Sequence, residues 1–243
     1  MGPLRVARGG PRPTHSPLAC EPDMSGRCAD VRAALSETTR NLTPGSPLRS
    51  LKTSLECDRV AYGVKRWSPL VAFRYPTLSY QRYLRYVEFC AAIDHPVGAV
   101  ACAILRLRLK RLGQRIGVTV PPGVFGPGLS IPHYGSVVVN DKVRAGWFCR
   151  IHSATNLGES EGAAPCLGDG VYIGPGAVLY GAVTVGSGSV IGANSVVNRN
   201  VPANSLAVGS PAQVRPIGSA YEKVMPATII AGIRKYGKQG PVE

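Results

Sequence analysis

Residues 167–202 read LGDGVY, IGPGAV, LYGAVT, VGSGSV, IGANSV and VNRNVP, which are consecutive blocks of six residues. The first position of every block is aliphatic, the second is often glycine, and the fifth is always Val, Ala or Ser. A period of six fits neither the 3.6-residue period of an amphipathic helix nor a meander whose turns come every eight to twelve residues. It is typical of a parallel β-helix of hexapeptide repeats, in which each short strand stacks on the strand one coil earlier.

The same register continues towards the N-terminus. Steps of six backward from Leu157 land on aliphatic or small residues and then on a histidine: Ile151, Ala145, Val139 and His133. The step from Leu157 to Leu167 is longer than six, so we expect residues 159–166 to form an outward loop. The solenoid is therefore predicted over about 118–208, and the loop is the first place to look for a site.

Composition narrows the class of protein. A chain of 243 residues is long enough for one or two domains with a sizeable core. Its 7 cysteines are odd in number and contain no C-x-x-C pair, which argues against a disulfide framework and a zinc ribbon. We therefore expect a reduced, cytoplasmic protein. The longest apolar run, Val97–Leu105, is too short to span a bilayer.

The chain divides into four predicted regions. Residues 1–47 mix Pro, Gly and Arg without periodicity and are expected to be a disordered tail, with either Met1 or Met24 as the start. Residues 48–117 form a small α-helical region that is punctuated by prolines. Residues 118–217 form the β-helix, and 218–243 a C-terminal helix and tail. Ser219–Lys238 should cap the last coil, because a β-helix end exposes unpaired strand edges.

Positive charge is concentrated in the helical region. The net charge is +14, and residues 48–117 hold 13 Lys and Arg against 4 Asp and Glu. A surface for nucleic acid or anionic lipid is one interpretation, and a solvated helical face is the other. We favour the solvated face and predict no nucleic-acid partner. A weak peripheral contact with a membrane stays open, because residues 105–111 (LRLRLKR) are amphipathic.

Two of the four histidines lie in the predicted solenoid. By the six-residue step, His133 falls in a position that later coils fill with aliphatic residues or Ala. A departure from a local rule favours a functional role, with a buried structural histidine as the alternative. His152 falls at a coil turn and is expected at the surface. No G-x-S-x-G motif supports serine-hydrolase chemistry.

Several segments resemble the serine acetyltransferase family of hexapeptide acyltransferases. They are residues 121–135 (PPGVFGPGLSIPHYG), 149–152 (CRIH), 196–202 (VVNRNVP) and 209–212 (GSPA), so the resemblance covers about 118–217. It implies a mainly β fold: a left-handed parallel β-helix of hexapeptide repeats, preceded by a small α-helical region and closed by a C-terminal helix. It also implies a homotrimer or hexamer with acetyl-CoA bound between neighbouring subunits. The handedness comes from the family and not from the period.

The resemblance also assigns roles to residues. The catalytic histidine of the family falls on His133, which would act as general base on an acceptor hydroxyl, a task that suits the pKa of imidazole. Gly158 falls where the coenzyme passes the inserted loop, and Ala193 on a position that lines the pantetheine channel. Arg199 falls where many relatives carry Lys near the coenzyme phosphates. No metal is implied.

The chain departs from the family at the acceptor site. Pro132 stands where the family has Asp, Ala163 and Ala164 stand where it has an Arg-His pair, and Gln213 replaces a basic residue. The first two departures remove groups that would hold a serine zwitterion and orient the base. A small-molecule hydroxyl acceptor is therefore predicted, with serine and a sugar, polysaccharide or secondary metabolite both open. Asp141, the nearest downstream carboxylate, is the candidate for orienting His133.

Two other classes of protein fit the sequence less well. A hexapeptide carbonic anhydrase would need three histidine ligands for zinc, and the predicted solenoid has only His133 and His152. A non-catalytic β-helix scaffold remains a minor alternative, and His133 is the feature that argues against it.

Overall fold

The structure, a computed structural model, describes residues 47–93, 96–218 and 220–237. Apart from Pro47, the predicted disordered tail lies outside these ranges. Four helices come first: α1 (Pro47–Ala61), α2 (Pro69–Arg74), α3 (Pro76–Ala91) and α4 (Pro96–Ile116). Each begins at a proline, because proline is pre-organised for the first helical turn, and three of these prolines (Pro69, Pro76 and Pro96) are those that punctuate the predicted helical region. Two helices end the described chain: α5 (Ala220–Val224) and α6 (Ala227–Tyr236).

Short strands lie between the two groups of helices. They are β1 (Val118–Thr119), β2 (Val137–Val139), β3 (Arg144–Ala145), β4 (Arg150–Ile151), β5 (Thr155–Gly158), β6 (Cys166–Leu167), β7 (Tyr172–Ile173), β8 (Val178–Tyr180), β9 (Thr184–Val185), β10 (Val190–Ile191), β11 (Val196–Val197), β12 (Ser205–Gly209) and β13 (Ala212–Pro216). They form three sheets, in the orders β1-β2-β5-β8-β11 (face A), β3-β6-β9 (face B) and β13-β12-β10-β7-β4 (face C). The chain visits A, B and C in turn, so the sheets are the sides of a solenoid. This confirms the predicted parallel β-solenoid.

Strand register confirms the hexapeptide period. On each face the later coils pair residues that are three hexapeptides apart, as in Cys166 with Thr184 and Tyr172 with Val190. The first-position aliphatic side chains from Leu157 to Val197 stack inside and are fully buried. Glycine at the second position has a steric reason: a Cβ on Gly174 would lie 2.8 Å from the Ala193 nitrogen of the next coil. Strands about 4.8 Å apart leave no room for it.

The helical region covers the open edge of the first coil. A first coil has no preceding strand, so alternate backbone groups lack a β partner and need other partners. Side chains of α1 and α3, together with Tyr62 just after α1, bond to these groups: Tyr80 to Val120, Glu88 to Gly123, Arg85 to Phe125 and Gly126, Asp58 to Gly128, Gln81 to Leu129 and Tyr62 to Ile131. We call this set the first-coil clamp.

A buried ion pair lies at the centre of the clamp. Arg85 Nε lies 2.9 Å from Asp58 Oδ2, and the two side chains are only 3% and 1% exposed. Burial raises the pKa of Asp58, and Arg85 and the Gly128 N–H partly offset the rise. Arg85 also binds Glu88 at 3.0 Å. The pair therefore ties α1, α3 and the first coil together.

The C-terminal helices do not cap the last coil, so that prediction was wrong. Strand β13 instead pairs antiparallel with β12 and covers the free edge of face C. Helices α5 and α6 pack on the side of the solenoid, where the Tyr221 hydroxyl donates to the Gly170 carbonyl at 2.7 Å. Thr228 donates to the carbonyl of Ala61 in α1 at 3.2 Å. Ser219 and Lys238, the predicted ends of a single helix, lie outside the described residues.

The physical reason for this docking is Phe148. Its φ of 54° turns the ring out of the coil, where it is fully buried in a cluster with Cys57, Met225 and Ile229. An outward aromatic ring on the side of the solenoid offers the apolar face of α6 a large area to bury.

Five cysteines fall in the described ranges, Cys57, Cys90, Cys102, Cys149 and Cys166, and none of these five forms a disulfide bond. Burial raises the pKa of Cys57 and Cys149 to about 12, so neither is a ready thiolate nucleophile. No helix in the described parts of the chain is both long enough and apolar enough to cross a membrane.

Candidate active site

His133 lies on an exposed bulge and not in an inward position. Ser130 bridges Arg150, and Val137 pairs with Thr155. The stretch 130–137 of the first coil is therefore two residues longer than the matching stretch 150–155 of the second coil. The extra residues bulge at the turn between face C and face A, which we call the C–A corner. Ile131, fully buried, takes the interior position instead. The prediction that His133 fills an aliphatic slot was therefore wrong, because the six-residue step does not hold across this bulge.

The C–A corner brings the two solenoid histidines together. The ring centroids of His133 and His152 lie 5.8 Å apart, with the planes tilted by 46°. On its other side, the His152 ring lies 5.1 Å from that of Tyr172 in the next coil. His152 is half-buried, so the expectation of a simple surface residue was wrong.

Burial and the neighbouring Arg150 keep His152 in its uncharged form. Arg150 Nε donates to His152 Nε2 at 3.3 Å, and its Nη1 donates to the Ser130 hydroxyl at 3.0 Å. Burial, together with the nearby Arg150 and His133, lowers the pKa of His152 to about 4. At neutral pH, His152 is therefore a neutral imidazole that carries its proton on Nδ1.

Tyr62 fixes the backbone just before His133. Its hydroxyl donates to the Ile131 carbonyl at 2.5 Å and accepts from the Ile131 N–H at 3.0 Å. The same hydroxyl contacts Thr77 at 3.0 Å and Gln81 at 2.7 Å. Sequence reasoning missed Tyr62, His152 and Arg150 as parts of this corner. The CRIH segment was a signal for the last two residues. No motif near Tyr62 in the sequence predicts its contact with Ile131.

The predicted coenzyme residues divide between two corners. Ala193 is exposed at the C–A corner, three coils from His133, which corresponds to about 14 Å along the solenoid. Gly158 ends β5 at the opposite edge of face A, where it pairs with Tyr180. Arg199 is exposed just after β11, near that same edge. Within one chain, Ala193 therefore lies at the same corner as His133, whereas Gly158 and Arg199 lie at the opposite edge of face A.

The interrupting loop is present and short. Asn156 pairs with Val178, four residues beyond the regular register, which confirms the predicted insertion. Ser160 and Ala163 exchange backbone hydrogen bonds of 2.9 and 3.1 Å, with Glu161 and Gly162 at positive φ in a two-residue turn. Ala164 is only 6% exposed and packs in the solenoid core. It therefore offers no side chain to a ligand.

Asp141 does not orient His133. It lies in the turn after β2, at the opposite edge of face A, where its carbonyl accepts from Arg144 Nη1 at 2.7 Å. Strand β2 separates it from the C–A corner.

Two open clefts lie away from the C–A corner, and none of the predicted site residues lines them. One, of ≈ 590 Å³, lies along α6, and another, of ≈ 570 Å³, lies between α1 and Tyr236. In the described ranges, no three His, Cys, Asp or Glu side chains come together as a metal-ligand group.

Comparison with known proteins places the chain in a class. Residues 167–199 match the family model "Bacterial transferase hexapeptide (six repeats)". A serine acetyltransferase of Helicobacter pylori is 38% identical over 130 residues, which cover 51% of this chain and 76% of that protein. One of Synechococcus elongatus is 36% identical over 131 residues, 51% of this chain and 54% of the relative. The chain thus spans about half the length of some curated relatives.

Solved structures agree on the fold. The soybean serine acetyltransferase apoenzyme superimposes with a TM-score of 0.54 at 27% identity, covering 69% of each chain. A serine acetyltransferase in complex with CoA has a TM-score of 0.55 at 24% identity over 74% of this chain and 73% of that one, and shows the fold alone. Fold and repeat together define a hexapeptide-repeat transferase. Within that class, the chain belongs to the serine acetyltransferase family.

Proposed function

We propose that this chain is an acetyl-CoA-dependent O-acetyltransferase of the serine acetyltransferase type, with His133 as general base. The observation that carries the proposal is the C–A corner, where an exposed imidazole lies on a half-buried, neutral one. Membership of the family supports the acetyl donor, since its relatives in Helicobacter pylori and Synechococcus elongatus are serine acetyltransferases.

The chemistry needs one base that moves one proton. The His133 imidazole takes the proton of the acceptor hydroxyl while the oxygen forms its bond to the acetyl carbon. The carbon–sulfur bond then breaks, and the imidazolium returns the proton to the departing thiolate. Such a base contributes roughly 10²–10⁴-fold to the rate. Backbone N–H groups of the coils are the natural donors for the oxyanion.

His152 is the positioning residue for His133. Arg150 and Tyr172 hold its ring on either side, so its contact with His133 restricts the orientation of the base. Because His152 stays neutral above its lowered pKa, it does not compete for the acceptor proton. It stands in for the carboxylate that Pro132 replaces.

The chain's residues suit a coenzyme that two subunits share. Ala193 is small and exposed, so it leaves room for a narrow chain at the C–A corner, and Arg199 is an exposed point charge suited to a phosphate. Since Arg199 and Gly158 lie across face A from His133, a neighbouring copy supplies them. We therefore expect a trimer, with pairing into a hexamer as the alternative. Sedimentation should give at least three times the 25.6 kDa chain mass, and a monomer at micromolar concentration would contradict the shared site.

The acceptor is a hydroxyl, and serine is the first candidate because the relatives are serine acetyltransferases. The buried Ala164 favours a second candidate, a neutral hydroxyl compound such as a sugar. Neither Pro132, Ala163 nor Ala164 can pair with an amino-acid charge. Each hydrogen bond to a charged group that is missing forgoes about 1.5–3 kcal/mol, so losing two weakens serine about a hundredfold or more. Tyr134, 71% exposed beside His133, can still bind a neutral hydroxyl.

The test is thiol release from acetyl-CoA with L-serine and with neutral sugars, with the reaction lacking an acceptor as the blank. A kcat/KM for serine of about 10⁴ M⁻¹s⁻¹ or above would rule out the neutral acceptor. Preference for a sugar would establish it. No release above the blank with any acceptor would contradict acetyl transfer and favour a scaffold.

A further inference from the structure

Helix α4 has two apolar stripes on opposite faces. The inner stripe packs into the main core, with Cys102, Leu109 and Ile116 buried. The outer stripe consists of Val100, Ile104 and Leu107, which are 64%, 52% and 49% exposed. Their spacing of four and then three residues aligns them on one face of the helix. The inner stripe explains how α4 packs in the domain, and the outer stripe takes no part in that packing.

The outer stripe lies within a field of positive charge. Helix α4 contains no Asp or Glu, and it exposes Arg106, Arg108, Lys110, Arg111 and Arg115. By the 3.6-residue period, Arg108 and Arg115 flank the stripe on one side and Arg106 and Lys110 on the other, while Arg111 continues it.

Acidic residues of the neighbouring helices do not compensate these charges. Every Asp and Glu of α1 to α3 already pairs with an arginine of those helices. Asp58 and Glu88 bind Arg85, and Glu56 binds Arg59. The outer face of α4 therefore presents apolar side chains with cationic flanks.

We propose that this face, formed by Val100, Ile104 and Leu107 with their basic flanks, docks on the surface of an anionic lipid bilayer. The helix lies flat, with the apolar stripe at the boundary between headgroups and acyl chains. The flanking Arg and Lys side chains extend to lipid phosphates, as long cationic side chains do at membrane interfaces. This inference does not depend on the acetyl-transfer proposal.

Charge also argues against a second copy of this chain as the occupant. A two-fold pairing through the stripe would place the same five cations opposite each other, with no acid on either α4. Like charges in register oppose such an interface, whereas an anionic lipid surface neutralises them. The bilayer is therefore the occupant that fits both features of the face.

The experiment is co-sedimentation of the full chain with vesicles. We expect binding to mixed phosphatidylglycerol and phosphatidylcholine vesicles, little binding to phosphatidylcholine alone, and weaker binding at high salt. Ile104→Ser combined with Leu107→Ser should lower the partition constant about tenfold or more, because two apolar side chains no longer leave water. The control is Val138→Ser, which replaces an exposed valine on face A and should leave the partition constant unchanged. Arg108→Gln with Arg111→Gln should weaken binding only to the anionic vesicles.

Three outcomes would overturn the proposal. One is the absence of binding to anionic vesicles, and another is binding that the serine pair leaves unchanged, which would indicate charge attraction alone. The third is a fall in the sedimentation mass of the serine pair to half that of the wild type, which would show a second copy on this face. Thermal melting of each variant checks the fold, and thiol release from acetyl-CoA should be unchanged.

Discussion

The ring of His133 lies 5.8 Å from the ring of His152, although the two residues belong to different coils of the solenoid. The contact exists because a bulge of two extra residues pushes His133 out of the stacked core and onto the C–A corner. The pair therefore combines an exposed imidazole that can meet a substrate with a half-buried one that Arg150 holds in place.

Replacing His133 with Ala removes the proposed base. We expect kcat to fall a hundredfold or more, while the KM for acetyl-CoA changes little, because the imidazole acts on the proton and not on the coenzyme. Thiol-release kinetics at saturating acceptor measure both quantities. Undiminished turnover would show that another group takes the proton.

Replacing His152 tests the positioning role. His152→Ala should lower kcat roughly tenfold or more through misalignment of His133, with a smaller effect on the KM for acetyl-CoA. His152→Gln retains an oxygen that can accept the Arg150 hydrogen bond, so it should recover part of the lost kcat. Equal losses in the two variants would indicate that Arg150 does not act through residue 152.

The lowered pKa of His152 predicts sensitivity of the fold to acid. Between pH 6.5 and about 4 the unfolded chain binds a proton at His152 and the folded chain does not, so this residue reduces the free energy of unfolding as the pH falls through that window. Allowing for solvent screening, the effect is about 1–3 kcal/mol. His152→Gln should remove it, so its urea midpoint should fall less than that of the wild type between pH 7 and 4.5. If the urea midpoints of the wild type and of His152→Gln fell equally with pH, the lowered pKa of His152 would be contradicted.

Replacing Arg85 with Met should break the first-coil clamp. The change leaves Asp58 buried without its cation and removes the donor to Phe125 and Gly126, at a cost of about 3–5 kcal/mol in the free energy of unfolding. The matched control is Arg82→Met in the same helix. Arg82 lies over the Trp67 ring at 4.6 Å, and its loss should cost about 1 kcal/mol or less. Urea unfolding compares the variants, and similar losses would argue against the clamp.

Gly232→Ala should destabilise the docking of α6, although Ala usually favours a helix over Gly. The added methyl group would overlap the ring of Phe148, which Gly128 confines on another side. Overpacking of this kind costs about 1–3 kcal/mol. Gly98→Ala in α4 is the control, since its methyl group would approach no atom closer than 3.4 Å, and it should raise stability by about 0.5–1 kcal/mol. Thermal melting measures the stability of both variants. A higher melting temperature for Gly232→Ala as well as for Gly98→Ala would rule out the overlap with Phe148.

The sequence by itself determined the solenoid, its interrupting loop and the helical region before it. Each coil contacts only its neighbours, so a six-residue spacing of aliphatic side chains is enough to specify how the chain stacks. The four-residue excess between Leu157 and Leu167 is visible for the same reason, because any break in a strict period stands out.

The tertiary structure alone decided the details of the site and the packing of the ends. The bulge that exposes His133 follows from the pairing of Ser130 with Arg150, which a count of residues along one coil does not reveal. The contacts of Tyr62 with Ile131 and of Tyr221 with Gly170 join segments that lie far apart in the chain. Such contacts depend on which surfaces bury the most apolar area and satisfy the most backbone groups once the chain has folded, and no local spacing encodes that outcome.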